Sequence, residues 1–126
     1  MDLTVARRKM IDCQIRPNDV TDESVLQAFD AIPREDFVTK ANASLAYCEM
    51  ELETISGRQF WLARDLSKVL QSLDVSKTDL ILVIGAAEGY AASLLNEMGD
   101  TVIALEADED VASSAADRLS NLGRDR

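Results

Sequence analysis

The sequence predicts an α/β fold, in which N-terminal helices precede the first β-α-β-α segment of a parallel sheet. Three observations lead to this prediction. Residues 80–84 (LILVI) are apolar without alternation, which is typical of a strand buried on both faces. A glycine-bounded turn at 85–89 follows, and then an Ala/Leu-rich helical stretch. A second apolar run at 101–105 completes a strand–helix–strand unit.

Two helices are predicted in the N-terminal part. The first covers residues 3–15, and the Arg16-Pro17 pair ends it because proline disfavours the helical conformation in the residue before it. The second begins with Thr21 as its predicted N-cap and ends at Pro33. Its expected buried face consists of Val25, Leu26, Phe29 and Ile32.

The middle of the chain is predicted to be irregular over 39–60, with a turn at 54–57 (TISG). A third helix follows, because apolar residues recur at i, i+4, i+7, i+8 and i+11. We expect the whole of this stripe to be buried: Leu62, Leu66, Val69, Leu70 and Leu73.

Glycine and aspartate mark the ends of the remaining elements. The helix after the glycine turn covers 90–98, with Gly99 as its C-cap. Glu106 stands at the end of the second strand. Asp108 is predicted to cap a last helix, which ends before Gly123.

No Pro- or Gly-rich linker divides the chain, so residues 1–78 (a helical, substrate-side region) and 79–126 (the sheet region) are predicted to form one folded unit. Residues 121–126 are typical of a loop that leads into a third strand. Because two parallel strands rarely form a stable sheet alone, we expect a truncated unit that is incomplete at its C-terminus. The sequence leaves the oligomeric state open, and apolar surfaces exposed in this way would favour self-association.

The composition argues against several classes of function. The net charge of −10 repels phosphate backbones, which argues against a nucleic-acid-binding protein. The absence of histidine excludes Ser-His-Asp and Cys-His catalysis. Cys13 and Cys48 are isolated, so no metal site is expected and a reduced, cytoplasmic environment is the simplest interpretation. No apolar run is long enough to span a membrane.

The glycine turn predicts a ligand site, because ligands bind beyond the carboxyl ends of the strands in open parallel sheets. Gly85 and Gly89 lie at such an end, where glycine permits close approach to the backbone. Glu106 follows about 20 residues later, at a place where an acid can accept both hydroxyls of a ribose. An adenosine-ribose site is the functional interpretation, and a sheet corner with glycines for packing is the structural alternative.

The turn favours one nucleoside cofactor over another. Its pattern is G-x-x-x-G, since Ala87 replaces the middle glycine of G-x-G-x-x-G. Glu88 places a carboxylate in the turn, which opposes a pyrophosphate. S-adenosyl-L-methionine has no phosphate and carries two cationic groups, so Glu88 suits it better. A surface-facing Glu88 without a role is the alternative.

The N-terminal half carries a more specific pattern: a leading helix, a capped helix bearing VLxAF, and a Pro-Arg-x-x-Phe-Val exit. The residues are Gln14-Ile15-Arg16, Asp22, Val25-Leu26, Ala28-Phe29, Ile32-Pro33-Arg34-Glu35 and Phe37-Val38. This pattern resembles the start of protein-L-isoaspartate O-methyltransferases. The turn at 85–90 (GAAEGY) and the strand 102–106 (VIALE) are similar to the cofactor motif and ribose-binding acid of that family. The resemblance covers nearly the whole chain.

The resemblance implies a truncated Rossmann-like class I methyltransferase fold, which has seven strands when complete. It implies S-adenosyl-L-methionine-dependent methyl transfer to the free carboxylate of L-isoaspartyl residues in damaged proteins, a repair reaction. Isoaspartyl-containing peptides or proteins would be the partners. It places the cofactor against the turn and the end of the second strand, at Gly85, Ala86, Ala87, Glu88, Gly89, Tyr90, Glu106 and Ala107.

Two departures from the family pattern concern the active site. The family usually has an acid two residues before the first glycine, where this chain has Val83. Many members also carry Thr-Ile-Ser-Gln-Pro, with the serine near the substrate. Residues 54–56 match in letters, but spacing counted back from the glycine turn places Trp61 at the serine position. No catalytic residue is assigned, and Thr54 and Ser56 remain the candidates.

Two alternatives stay open. One is a non-catalytic member of the family that binds the cofactor or a protein, which Val83, Trp61 and the expected truncation favour. The other is a fragment of an NAD-dependent oxidoreductase, which rests only on Gly85 and Glu106.

Overall fold

The structure is a computed structural model, and it describes residues 2–123. Helices and a two-stranded parallel sheet alternate in its second part, as the sequence predicts. The main elements are α1 (Leu3–Met10), α2 (Glu23–Ala31), α3 (Ala63–Ser72), β1 (Leu80–Ile84), α4 (Tyr90–Met98), β2 (Thr101–Leu105) and α5 (Glu109–Asn121). Shorter helical segments are the π-helical turn Ile11–Ile15 and the 3₁₀ turns Arg16–Asn18, Arg34–Phe37 and Lys40–Leu45.

The predicted helix over 3–15 is confirmed, since α1 continues directly into the π-helical turn. The chain leaves this helix through Asp19, whose φ of 65° is left-handed. The N-cap of α2 is Asp22, so the prediction of Thr21 is wrong by one residue. The Asp22 carboxylate accepts from the backbone N–H of Ser24 at 2.9 Å, and the N–H groups of Thr21 and Asp22 both donate to the side chain of Gln71.

The hydrophobic core joins the N-terminal helices to the sheet region. The predicted inner face of α2 is confirmed, because all four of its residues are at most 3% exposed. Tyr90, at the start of α4, packs its ring against those of Phe29 and Phe37, with centroids 6.3 and 5.1 Å away. Residues on both sides of position 78 therefore share one core. The division into 1–78 and 79–126 stays a prediction.

The buried face of α3 differs from the predicted stripe. Leu66 and Leu70 are buried as expected, but Val69 and Leu73 are 43% and 55% exposed. Ala63 and Ser67 take the inner positions instead. Val69 lies about 100° around the helix from Leu70 and so points away from the inner positions, and Leu73 is the C-cap, beyond the last helical residue.

The two strands pair in parallel, from Leu80 opposite Thr101 to Ile84 opposite Leu105. Ile81, Val83 and Val102 pack against the core. The other face is open, with Leu80 and Ile84 being 70% and 77% exposed. The expectation that the first strand is buried on both faces is therefore wrong for the part of the chain described, whose helices cover one face.

The stretch 39–60 is more regular than predicted, because residues 52–60 form a hairpin. The Thr54 N–H donates to the Arg58 carbonyl at 2.7 Å, and the Phe60 N–H donates to the Leu52 carbonyl at 2.8 Å. The predicted turn at its tip is confirmed, since the Gly57 N–H donates to the Thr54 carbonyl at 3.0 Å. We call this segment the 52–60 hairpin.

The C-terminal elements agree closely with the sequence. Gly99 is the C-cap of α4, and Asp108 caps α5 by accepting from the N–H groups of Asp110 and Val111. Of the loop predicted over 121–126, the residues after Gly123 lie outside the described part. Within residues 2–123, each helix is too short or too polar to cross a membrane.

Candidate functional site

The glycine turn connects β1 to α4 and is tied to the end of β2. The N–H groups of Gly85 and Ala86 both donate to the Leu105 carbonyl at 2.9 Å. Gly85 and Gly89 have φ of 71° and 93°, which favour glycine, and a Cβ added at Gly85 would meet no atom within 4 Å. The turn is thus a fixed backbone corner that is open at Gly85.

Ala87 also has a left-handed conformation, with φ of 51°. It stands where G-x-G-x-x-G has its middle glycine. The backbone therefore keeps the shape of a glycine turn although a Cβ is present. Its N–H donates to Oε1 of Glu106 at 2.9 Å, which brings the acid at the end of β2 against the turn.

Among the residues that the structure describes, Glu106 accepts four hydrogen bonds. Two come from backbone N–H groups, of Ala87 at 2.9 Å and of Asp108 at 3.0 Å. The other two come from the guanidinium of Arg58, whose Nη1 and Nη2 lie 2.5 and 2.6 Å from Oε1 and Oε2. The bonds from Arg58, and then that from Asp108, lower the pKa of Glu106 to about 2.

Glu88 is buried, with 5% of its surface exposed, so the alternative of a surface-facing residue is wrong. Its Oε1 accepts from Thr54 Oγ1 at 2.6 Å and from the Ser56 N–H at 2.9 Å, and Ser56 Oγ donates to it as well. Burial raises the pKa of Glu88, but these hydrogen bonds outweigh it and lower the pKa below its usual value. Glu88 thereby joins the 52–60 hairpin to the glycine turn.

The two candidates for a catalytic role lie at this junction. Thr54 and Ser56 both contact Glu88, so the structure brings them to the glycine turn. Trp61, which spacing places at the family's serine position, is 55% exposed. Its carbonyl accepts from Nη2 of Arg34 at 2.7 Å. The catalytic assignment stays open.

Two predicted cofactor residues differ in what they can offer. The Tyr90 side chain is buried among aromatic rings, with the Phe60 centroid 5.0 Å from its own, so its phenol faces the core rather than the turn's surface. Ala107 is exposed beside Glu106. Their roles in cofactor binding, like those of the other predicted site residues, stay predictions.

A cavity of about 190 Å³ adjoins the turn on the side of α5. It is lined by Ile55, Ser56, Glu88, Asp110, Val111, Ser114 and Arg118. Arg118 closes one side, with its Nη1 donating to the Glu88 carbonyl at 2.7 Å. Among residues 2–123 there is no group of three or more acidic or cysteine side chains that could hold a metal ion.

Comparison with known proteins identifies the family. The model of the family described as protein-L-isoaspartate(D-aspartate) O-methyltransferase matches residues 6–126. The chain belongs to this family. Members of this family use S-adenosyl-L-methionine as cofactor.

Several curated relatives carry the name protein-L-isoaspartate O-methyltransferase. The protein from Roseiflexus castenholzii is 37% identical over 125 residues, which are 99% of this chain and 57% of the relative. The protein from Methylorubrum extorquens is 34% identical over 97% of this chain and 54% of its own length. This chain therefore spans about half the length of the curated relatives it matches.

A solved structure of a protein-L-isoaspartate O-methyltransferase superimposes with a TM-score of 0.82. The alignment covers 93% of this chain and 39% of that one, at 22% sequence identity. The predicted Rossmann-like methyltransferase fold is therefore confirmed over the aligned part.

The residues of the turn fit S-adenosyl-L-methionine better than a dinucleotide. The acid at the end of β2 lies against the turn, and the corner at Gly85 is open to a ligand. Glu88 adds a negative charge behind the turn, where a pyrophosphate would be repelled. Binding of the ribose would require the Arg58 guanidinium to move, because it covers the Glu106 carboxylate that the ribose would use.

Three arginines of this region were not predicted as site residues: Arg34, Arg58 and Arg118, the last of which closes the cavity beside Glu88. Arg58 lies 48 residues from Glu106 in sequence, so nothing local signals the pair. Arg34 is 1% exposed and lies over the Phe60 ring, with its Cζ 4.2 Å from the centroid. Its presence in the Pro-Arg-x-x-Phe-Val pattern was the only signal for it.

Proposed function

We propose that the protein containing this chain transfers a methyl group from S-adenosyl-L-methionine to the free carboxylate of L-isoaspartyl residues in damaged proteins. The observation that carries the proposal is the contact of Glu106 with the glycine turn, at the carboxyl ends of two parallel strands, in a chain that belongs to this family. Isoaspartyl-containing proteins are the proposed partners, and the cytoplasm is the proposed location. Family membership leaves the oxidoreductase hypothesis without support.

The chemistry suits a site without histidine. The cofactor supplies a methyl group bound to a positively charged sulfur, which departs as a neutral thioether when an oxygen nucleophile attacks. An isoaspartyl carboxylate is already ionised at neutral pH, so no general base is needed. The task of the protein is then to hold two reactants in line. This agrees with a sequence that contains no histidine.

The residues of this chain have distinct parts in the proposal. Glu106 would accept the ribose hydroxyls, and Gly85 would let the cofactor approach the backbone. Glu88 would keep the 52–60 hairpin against the turn, where it covers one side of the site. Thr54 and Ser56 would lie near the substrate through that hairpin.

A calorimetric titration with S-adenosylhomocysteine, with NAD as the control ligand, tests the cofactor site. We expect saturable binding of S-adenosylhomocysteine, and a loss of at least about tenfold in affinity for Glu106→Ala because two charge-assisted hydrogen bonds disappear. Glu23→Ala removes an exposed carboxylate from α2 and should leave the affinity unchanged. Binding of NAD in preference to S-adenosylhomocysteine would contradict the proposal.

The activity itself is tested with the full-length protein and a synthetic isoaspartyl peptide, using the aspartyl peptide as the matched substrate. Methyl ester should form on the isoaspartyl peptide alone. If S-adenosylhomocysteine binds but neither peptide is methylated, the non-catalytic alternative replaces the proposed activity.

A further inference from the structure

The 52–60 hairpin is attached to the cofactor site at two carboxylates, Glu88 and Glu106, through donors of different character. Thr54 and Ser56 bind Glu88, which is 5% exposed. Arg58 binds Glu106, and the Arg58 side chain is 42% exposed. The Glu106 side chain is also only 5% exposed, so the two attachments differ in their donors: Glu88 holds a Ser56 N–H that is fixed in the hairpin, whereas Glu106 holds a half-exposed guanidinium that can rotate into solvent.

The hydrogen bonds of Glu106 leave no room for a ribose. A carboxylate offers about four acceptor positions, two on each oxygen. Among the described residues, Oε1 accepts from Arg58 Nη1 and the Ala87 N–H, and Oε2 accepts from Arg58 Nη2 and the Asp108 N–H. The two backbone donors are fixed by the fold. The positions held by Arg58 are those that an exchange can free.

We propose that Arg58 is a latch on the cofactor site, which occupies the acceptor positions of Glu106 needed by the ribose hydroxyls and must release them before S-adenosyl-L-methionine can bind. This inference rests on the proposed function, because it concerns the same site. It adds a specific residue that sets cofactor affinity.

The structure allows the latch to open through the side chain alone. The Arg58 N–H donates to Thr54 Oγ1 at 3.0 Å, and its carbonyl accepts from the Thr54 N–H, so its backbone stays in the hairpin. Glu88 continues to hold that hairpin after the guanidinium leaves. Opening therefore requires rotation of one exposed side chain.

The latch lowers the apparent affinity by the fraction of molecules in which it is open. The pair is exposed only on the Arg58 side, where water solvates the released guanidinium and salt screens its charge, so the closed state is favoured modestly. We expect the latch to weaken cofactor binding by about fivefold, which corresponds to a pair that is formed in roughly four molecules of five.

The test compares three chains: the parent, Arg58→Ala and Arg64→Ala. Arg64 is a matched control, since its side chain is 43% exposed and its Nη1 is paired with Glu49 at 2.9 Å. Titration with S-adenosylhomocysteine should show about fivefold tighter binding for Arg58→Ala at low salt and no change for Arg64→Ala. Added salt should raise the affinity of the parent toward that of Arg58→Ala. Equal or weaker binding by Arg58→Ala would overturn the latch.

A second measurement needs no ligand. In carboxyl-detected NMR of labelled glutamate, the pKa of Glu106 should be higher in Arg58→Ala than in the parent, because Arg58 is the largest cause of its low value. An unchanged pKa means that the pair does not form in solution, and the latch is rejected. A raised pKa with no binding by either chain rejects the proposed cofactor site and the latch with it, whereas binding with equal affinities rejects the latch alone.

Discussion

Ala87 has a left-handed backbone conformation that glycine adopts more readily than alanine. Its φ of 51° lies in the left-handed region, which costs an L-residue roughly 1–2 kcal/mol. Its N–H nevertheless donates to Glu106, so the strained conformation is part of the site. The strain persists because Gly85 and Gly89 on either side are fixed by bonds to β2 and to Ala86.

We predict that Ala87→Gly stabilises the protein. Glycine removes the left-handed penalty, and its larger backbone entropy in the unfolded chain offsets part of the gain, which leaves about 0.5–1 kcal/mol. Urea unfolding monitored by circular dichroism measures the difference. Ala116→Gly in α5 is the matched control, since the same change in a regular helix should destabilise by about 1 kcal/mol. Equal losses for both variants would show that Ala87 is unstrained.

At the scale of elements, the hairpin and the turn are joined by Glu88. Its carboxylate accepts from two side chains and one backbone N–H of the hairpin tip. Hydrogen bonds to a buried charged group are stronger than neutral ones, and their loss leaves donors unsatisfied. The attachment should therefore contribute to stability as well as to the shape of the site.

We predict that Glu88→Ala lowers the free energy of unfolding by about 2–3 kcal/mol. The exposed Glu51, which precedes the same hairpin, is the control, and Glu51→Ala should change it by less than about 0.5 kcal/mol. The urea midpoint at constant m-value gives both numbers. A Glu88→Ala protein as stable as the parent would mean that the hairpin is not anchored by this carboxylate.

The same attachment makes the free energy of unfolding depend on pH. Because the folded-state pKa of Glu88 lies below its usual value, its contribution is present above the unfolded pKa of about 4.3 and is lost as the pH falls through the folded pKa. The parent should therefore lose more stability on acidification than Glu88→Gln. Urea midpoints of the two proteins at neutral and acidic pH measure this difference. If both midpoints fall by the same amount on acidification, Glu88 does not cause the pH dependence.

The observed bounds of the elements agree best with the predicted ones where glycine or aspartate marks the end of an element. The bounds of β1, α4 and β2 agree with the predicted ones, since punctuation at Gly85, Gly99 and Asp108 is local. Observation and prediction differ where contacts between distant parts of the chain decide which residues are buried. The inner face of α3 is an example, because Val69 and Leu73 continue its apolar stripe but are 43% and 55% exposed.

In the candidate site, too, local features are predictable from the sequence and long-range contacts are not. The sequence predicts which residues form the turn and which acid ends β2, because strand and turn patterns are local. The partners of those residues could not be predicted, since Glu88 meets residues 32 and 34 positions away and Glu106 meets one 48 positions away. Such pairs depend on how the 52–60 hairpin folds over the turn, and no periodicity in the sequence indicates that arrangement.

For the whole molecule, the dominant surface feature is the open face of the sheet. Five apolar side chains from both strands share it, each from a residue at least 47% exposed: Leu80, Leu82, Ile84, Ile103 and Leu105. They lie side by side because paired residues of parallel strands point to the same face. Both strands of this sheet also have a free edge within the described residues. Contiguous apolar surface of this kind favours association.

We predict that the 126-residue chain self-associates through this face as its concentration rises. Leu82→Lys, in the middle of β1, should shift the equilibrium toward monomer, because association would bury an unpaired charge. Leu73→Lys is the matched control, since Leu73 at the end of α3 is equally exposed, at 55%, but lies outside the patch. Sedimentation velocity over a concentration series distinguishes the three chains, with circular dichroism to confirm that each is folded. A parent chain that remains monomeric throughout, or a Leu73→Lys chain that dissociates as readily as Leu82→Lys, would show that the open face does not drive association.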